Sequence, residues 1–146
     1  MLKGIDPILS PELLAVLREM GHGDEIAIVD ANYPAASAGP TVVRLDGVAA
    51  TEALDAILSL MPLDDFVPEA AWRMEVVGAP HQEQPIFAEF RNIIAAREGD
   101  SFELIPLERF AFYERASDAY AIVSTSERRL YGNVILKKGV IRSEEA

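Results

Sequence analysis

The sequence predicts one α/β domain, a sheet with helices on both faces. Three observations carry this. Ile26-Ala27-Ile28-Val29 is an unbroken apolar run, as in a strand buried on both sides. Such runs alternate with stretches whose apolar residues recur at helical spacing. Finally, half of the 146 residues are hydrophobic, enough for one good core, and no linker, repeat or low-complexity tract divides residues 1–146.

The elements follow in order. Ser10 is an N-cap, Pro11 suits the first helical position, and Glu12 complements the helix dipole. Leu13, Leu14, Leu17 and Met20 form that helix's apolar stripe, and Gly21 offers its stop. A strand runs from Glu25 to Asp30. Asn32, Tyr33 and Pro34 open a loop that Ala38, Gly39 and Pro40 end. Val42 to Leu45 reads as a second strand. Thr51 caps a helix carrying Leu54, Ile57, Leu58 and Met61, and Trp72 to Val77 is a third strand. After a loop from Gly78 to Pro85, Ile86 to Arg97 is helical with Phe87, Phe90, Ile93 and Ile94 inward. Phe102 to Ile105 is a short strand, Leu107 to Ser117 a helix, Tyr120 to Ser124 a buried strand, and Asn133 to Leu136 the closing strand. Strand order does not follow from this pattern.

Composition narrows the function. The net charge is −11, so the surface repels phosphate backbones and anionic lipid and argues against nucleic-acid and membrane partners, while neutral small molecules remain open. No cysteine is present, which excludes disulfides, thiolate catalysis and cysteine-based zinc sites and fits a reducing cytoplasm. Met1 to Ser10 lacks the pattern of a signal peptide, and no apolar run has the length of a membrane span. The expectation is a soluble cytoplasmic protein.

Polar residues gather beside glycine turns or strand ends in four places, where open α/β sheets put their sites. In Gly21-His22-Gly23-Asp24 the histidine is either a dipole-complementing helix end or a general acid–base. Asp30, at a strand's end, either closes an Asx-turn with Ala31 and Asn32 or binds a hydroxyl or orients an imidazole. In Arg109-Phe110-Ala111-Phe112-Tyr113-Glu114-Arg115, Arg109 and Tyr113 share a helix face. That segment is either an ordinary amphipathic helix or a source of a tyrosine acid–base and an arginine donor. Tyr131-Gly132-Asn133 is either a turn into a strand or a sugar platform, with an aromatic face, close backbone approach and an amide that hydrogen-bonds both ways.

Other chemistries fit less well. His22, Asp24 and Asp30 do not form a ligand-spaced metal set, and no metal is expected. His81 lies in a polar loop and reads as exposed. Gly21 and Gly23 follow a helix rather than a strand, so they are no dinucleotide fingerprint. Lys137 and Lys138 read as a solvated strand end.

Taken in order, these places resemble one family. Ile8-Leu9-Ser10-Pro11-Glu12-Leu13-Leu14, Met20-Gly21-His22-Gly23-Asp24-Glu25-Ile26 and Asp30-Ala31 with Pro34-Ala35 resemble the first half of the fucose mutarotases, relatives of the ribose pyranases. Arg109 to Ala116, Glu127-Arg128, Tyr131-Gly132-Asn133 and Leu136-Lys137-Lys138-Gly139-Val140 resemble their C-terminal motifs, so the likeness spans nearly the whole chain. It implies an RbsD-like α/β fold, assembled as a ring-shaped homodecamer with sites near subunit boundaries. It also implies a cofactor-free isomerase of carbohydrate metabolism acting on a free monosaccharide such as L-fucose. On this likeness His22 is the proton donor, and Asp30, Arg109, Tyr131, Gly132 and Asn133 contact the sugar. Tyr113 and Asp64 fall where mammalian relatives carry further active-site groups. The chain departs from the family where Asp-Ala-His-Phe-Pro often stands, reading Asp30-Ala31-Asn32-Tyr33-Pro34, and at Ala36, where a histidine is often found.

The expected mechanism pairs His22 with Tyr113 across a sugar ring, with Asp30 orienting His22 or holding a hydroxyl. A non-catalytic monosaccharide-binding module is the alternative, and a metal-assisted hydrolase using His22 and Asp30 a second.

Overall fold

The computed structural model describes residues 1–146. Its main elements are α1 (Pro11–Glu19), β1 (Glu25–Val29), β2 (Thr41–Leu45), α2 (Ala50–Leu58), β3 (Ala71–Met74), α3 (Pro85–Glu98), β4 (Ile105–Leu107), α4 (Arg109–Ser117), β5 (Ala121–Thr125) and β6 (Val134–Lys137). The strands form one six-stranded sheet in the order β2-β5-β1-β6-β3-β4. β6 runs antiparallel to both β1 and β3, and the other pairings are parallel. No helix is long and apolar enough to cross a membrane.

Strand alternation splits the core in two. Ile26 and Ile28 of β1, Ala121 and Val123 of β5, and Val134 and Leu136 of β6 face one side, against Leu13 and Leu17 of α1, Leu54 and Ile57 of α2, and Phe87 and Phe90 of α3. Ala27, Val29, Ile122 and Ile135 face the other, with Trp72, Met74 and Ala35 and with Phe112 and Ala116 of α4. Helices thus cover both faces as expected, three on one and α4 alone on the other. Phe112 is fully buried, and truncating such a phenylalanine to alanine costs about 3–5 kcal/mol. Arg115 clamps α4 from outside: its guanidinium lies 3.5 Å over the Trp72 ring and makes two 2.8 Å bonds to the Glu25 carboxylate.

Several local expectations shift. β4 starts at Ile105, where the earlier stretch from Phe102 was expected, and α4 starts at Arg109, because Glu108 caps it by accepting from the Phe110 and Ala111 amides. β3 ends at Met74 because its edge partner β4 ends beside it, at Leu107. Ser10 caps α1 as expected. Gly21, however, is no left-handed stop: the positive φ is at Gly23, +89°. Nor is Lys138 a solvated strand end. Its ammonium donates to the Leu17 and Met20 carbonyls at the C-terminus of α1, which the four last carbonyls of a helix leave open to such a partner.

Candidate functional site

β1 and β6 lie side by side and antiparallel, so the end of one meets the start of the other. There Asn133 Oδ1 accepts a 2.8 Å hydrogen bond from the Asp30 amide. Asp30 closes the Asx-turn, its Oδ1 accepting from the Asn32 amide at 2.9 Å. Asp30 as a whole is 4% exposed. Burial pushes the carboxyl above its ordinary range, and the hydrogen bonds from Asn32, Asn133, Gly132 and Tyr33 only partly oppose it.

The segment before β6 is tightly held. Glu127, itself buried, takes hydrogen bonds from the amide and guanidinium of Arg129, and its carbonyl accepts from the Ala31 amide. Tyr131 sits at φ +63°, the one non-glycine residue in the left-handed region. Such a backbone costs on the order of 1 kcal/mol and persists only where its surroundings impose it. Here the Tyr131 hydroxyl accepts from the Val77 amide at 3.1 Å, tying this turn to the loop after β3. Gly132 has no room for a side chain: a Cβ would meet Glu127 Cγ at 2.8 Å and Ile86 Cδ1 at 3.1 Å.

α4 supplies the remaining wall. Phe112 enters the core, which turns Arg109 and Tyr113 toward the turn at Asp30. Asp30, Tyr33, Arg109, Tyr113, Tyr131 and Asn133 line one cleft of about 190 Å³, together with Asn32, Met74, Val77 and Leu130. At about 30 Å³ per water that is room for roughly six waters, the scale of one sugar ring. Its walls combine aromatic faces with donors and acceptors, as a neutral polar ligand needs. A larger groove, of about 750 Å³, lies at the opposite edge of the sheet beside Gly23. Asp24, Glu25, Glu114 and Asp118 crowd it with carboxylates, beside Arg115 and Tyr120.

His22 and Asp64 are not in this cleft. His22 occupies the turn that leads into β1, at the other end of the strand from Asp30. Asp24 shapes that turn, with its Oδ2 accepting from the Gly21 amide at 2.7 Å, and the Gly23 amide donates to the Lys138 carbonyl. The imidazole Nε2 lies 3.0 Å from Asp64 Oδ1, and Phe66 stands edge-on to the ring at 4.9 Å. The His22 side chain is 39% exposed and Asp64 4%. Although burial raises the Asp64 carboxyl, hydrogen bonds from His22 and the Phe66 amide outweigh it and hold the group below its ordinary value. The five residues of β1 put roughly 16 Å between the two ends of the strand. Within one chain, therefore, His22 does not pair with Tyr113, and Asp30 does not orient it. Asp64 lies beside His22 and outside the cleft of its own chain, and His22 and Asp30 stand at opposite ends of β1. His81 is exposed, as expected.

Of the eight expected residues, Asp30, Arg109, Tyr113, Tyr131 and Asn133 line the cleft, Gly132 supports it from behind, and His22 and Asp64 form a separate pair. Asn32, Tyr33, Met74, Val77 and Leu130 also line the cleft without being expected there, and among them Tyr33 carries a polar group on an aromatic ring. Its departure from the Phe of the resembled motif was the available signal.

Known proteins share this fold. Residues 3–141 match the RbsD / FucU transport protein family. The fucose mutarotase of Danio rerio is 47% identical over 151 aligned positions, covering 99% of this chain and 97% of its own. A crystal structure of the fucose mutarotase from Streptococcus pneumoniae, in complex with L-fucose, superposes with a TM-score of 0.90 at 48% identity, covering 97% of this chain and 100% of that one. RbsD of Bacillus subtilis, complexed with D-ribose, gives 0.75 at 26% identity, covering 97% of this chain and 100% of that one.

Proposed function

Because this chain belongs to the RbsD / FucU transport protein family, we infer that it is an isomerase, a sugar mutarotase that interconverts the anomers of a free monosaccharide such as L-fucose. The observation that carries the reading is the convergence of Asp30, Arg109, Tyr113, Tyr131 and Asn133 on one cleft of sugar size.

A cyclic sugar is a hemiacetal. Opening it takes a proton delivered to the ring oxygen and one withdrawn from the anomeric hydroxyl. The freed aldehyde rotates and closes on its other face, and reversal of the two proton transfers restores every group. Substrate and product have the same atoms and oxidation state, so the reaction consumes nothing. Positioned acids and bases contribute about 10²–10⁴-fold to such a step.

In our assignment Tyr113 and His22 carry the two protons. Arg109, Asn133 and the Asp30 carboxylate hold hydroxyls, Tyr131 packs on the apolar face of the ring, and Gly132 lets the turn approach. Since His22 lies at the far edge of its own sheet, the His22 that serves a cleft comes from a neighbouring subunit. Asp64 then fixes the imidazole as a positioning residue. We further propose that the assembly is the ring-shaped homodecamer implied by the family resemblance, acting in cytoplasmic carbohydrate metabolism without a cofactor.

NMR exchange between the anomeric signals of L-fucose tests this. Catalytic amounts of protein should accelerate exchange. Saturable binding with exchange left at the uncatalysed rate would instead make the chain a sugar-binding module.

A further inference from the structure

Three buried side-chain atoms in the protein have no hydrogen-bond partner: Tyr33 Oη, Arg73 Nε and Arg109 Nε. Arg73 lies under α3, its guanidinium 4.1 Å over the Phe87 ring. The other two belong to residues that line the sugar cleft. An unmet buried donor or acceptor is costly, and native structures rarely keep one without a use. Two on a single cleft 190 Å³ in volume suggest that a ligand meets them.

Tyr33 is the more specific case. Its ring is fixed edge-on between Phe112, at 6.0 Å, and Tyr113, at 5.3 Å. The backbone on both sides is tied down as well, the Tyr33 amide donating to the Asp30 carbonyl and the Ala35 amide to the Tyr33 carbonyl. The ring is therefore held where a phenylalanine would be held equally well, and packing explains everything about it except the oxygen. Burial first, then Tyr113 and Asp30, push the phenol well above its ordinary value, so it is a neutral hydroxyl able to donate and to accept.

We propose that Tyr33 is a specificity-determining residue whose hydroxyl hydrogen-bonds one particular hydroxyl of the bound sugar. The cleft thereby distinguishes sugars that carry that hydroxyl from their deoxy counterparts. This rests on the mutarotase reading and adds to it a residue and a discrimination. The contact exists in the bound ground state as well as in the transition state, so losing it raises KM and leaves kcat nearly unchanged. A neutral hydrogen bond of this kind is worth about 3- to 10-fold in kcat/KM.

The test compares wild type with Tyr33→Phe by NMR exchange on L-fucose, its 2-, 3- and 4-deoxy derivatives, and L-galactose, which differs from L-fucose by a hydroxyl on carbon 6. If the partner is a ring hydroxyl, Tyr33→Phe loses about 3- to 10-fold in kcat/KM, through KM, on every sugar except the one lacking that hydroxyl. If the partner is the hydroxyl that fucose lacks, L-galactose alone shows the loss. The melting temperature of the variant stays level or rises, since an unmet polar atom has been removed. Equal losses on all five sugars, or none on any, overturn the proposal. A wild-type protein that accelerates exchange of no sugar would instead sink the mutarotase reading itself.

Discussion

His22 Nε2 is held 3.0 Å from the buried Asp64 Oδ1 at one edge of the sheet, while Asn133 binds the Asp30 amide at the other. The separation is built into the antiparallel pairing of β1 with β6: Glu25 stands opposite Lys137 at one end, and Ile28 opposite Val134 at the other. No side-chain rotation spans that length. In the assembly we propose, each subunit carries two half-sites, and the head of one copy completes the tail of the next.

Subunit mixing tests this directly. His22→Asn and Tyr113→Phe should each reduce sugar exchange by about 10²-fold or more as homo-oligomers. Co-assembled in equal amounts, they should recover activity toward about a quarter of wild type, because random mixing pairs the two intact halves at that share of heterologous boundaries. Mixed oligomers that are visible by native mass spectrometry yet stay inactive would show that the two halves do not share a site.

Asp64 gives a second prediction. In our assignment it touches His22 and no sugar, so Asp64→Asn should lower kcat by roughly 10-fold, as loss of a group that orients a catalytic side chain typically does, and leave KM near wild type. Its carboxyl is held below the ordinary value. The associated stability is therefore present above the unfolded carboxylate pKa and is lost as pH falls through the lower, folded value. Melting temperatures recorded from pH 6 down to pH 3 should fall more steeply for wild type than for Asp64→Asn. Parallel curves would mean that the His22–Asp64 contact adds nothing to folding.

The fold is largely readable because its inner strands are buried on both faces. A run such as Ile26 to Val29 has few alternatives, and Ser10-Pro11 marks a helix start unambiguously. Strand order was not readable, since β5 inserts between β1 and β2 and β6 enters antiparallel through contacts about a hundred residues apart, as in Glu25 with Lys137. The cleft was readable as a list: Asp30, Arg109, Tyr113, Tyr131 and Asn133 each stand at a strand end, a turn or one helix face. What a list cannot encode is distance. His22 reads as a neighbour of Asp30 because eight positions separate them in sequence, yet most of the residues between them form the extended strand β1, which carries them apart. Tyr33 was passed over because its ring behaves like any loop aromatic, and only its unmet hydroxyl sets it apart.

Gly132 is a position where one methyl should disturb both packing and activity. Its φ is not in the left-handed region, so the obstacle is space: Glu127 Cγ at 2.8 Å, Ile86 Cδ1 at 3.1 Å and the Arg129 carbonyl at 3.2 Å. Glu127 cannot easily give way, because Arg129 holds both of its carboxylate oxygens. Gly132→Ala should cost about 1–3 kcal/mol of stability by overpacking. It should also lower kcat/KM, since the displaced residues flank Tyr131 and Asn133. Denaturant melts and exchange rates on the same preparation check both. An alanine variant of wild-type stability would mean that the turn relaxes more freely than its contacts suggest.

Asp30 sets stability against function. Burial raises its carboxyl above the unfolded value of 3.8 despite four opposing hydrogen bonds. Between the unfolded and folded values the native protein keeps a proton that the unfolded chain releases, so stability declines as pH rises through that window. Above that window the buried carboxylate is a net burden on the fold, and in our assignment its role is to hold a sugar hydroxyl. Asp30→Asn keeps an oxygen to accept from the Asn32 amide and removes the buried charge. Its melting temperature at pH 7 should exceed that of wild type, and the gap should close as the pH is lowered below the unfolded carboxylate value. Sugar exchange should fall by at least about 10-fold, since a charge-assisted hydrogen bond to a substrate hydroxyl becomes a neutral one. If Asp30→Asn melts below wild type at pH 7, the hydrogen bonds to the carboxylate outweigh its desolvation, and Asp30 belongs to the structure before it belongs to the site.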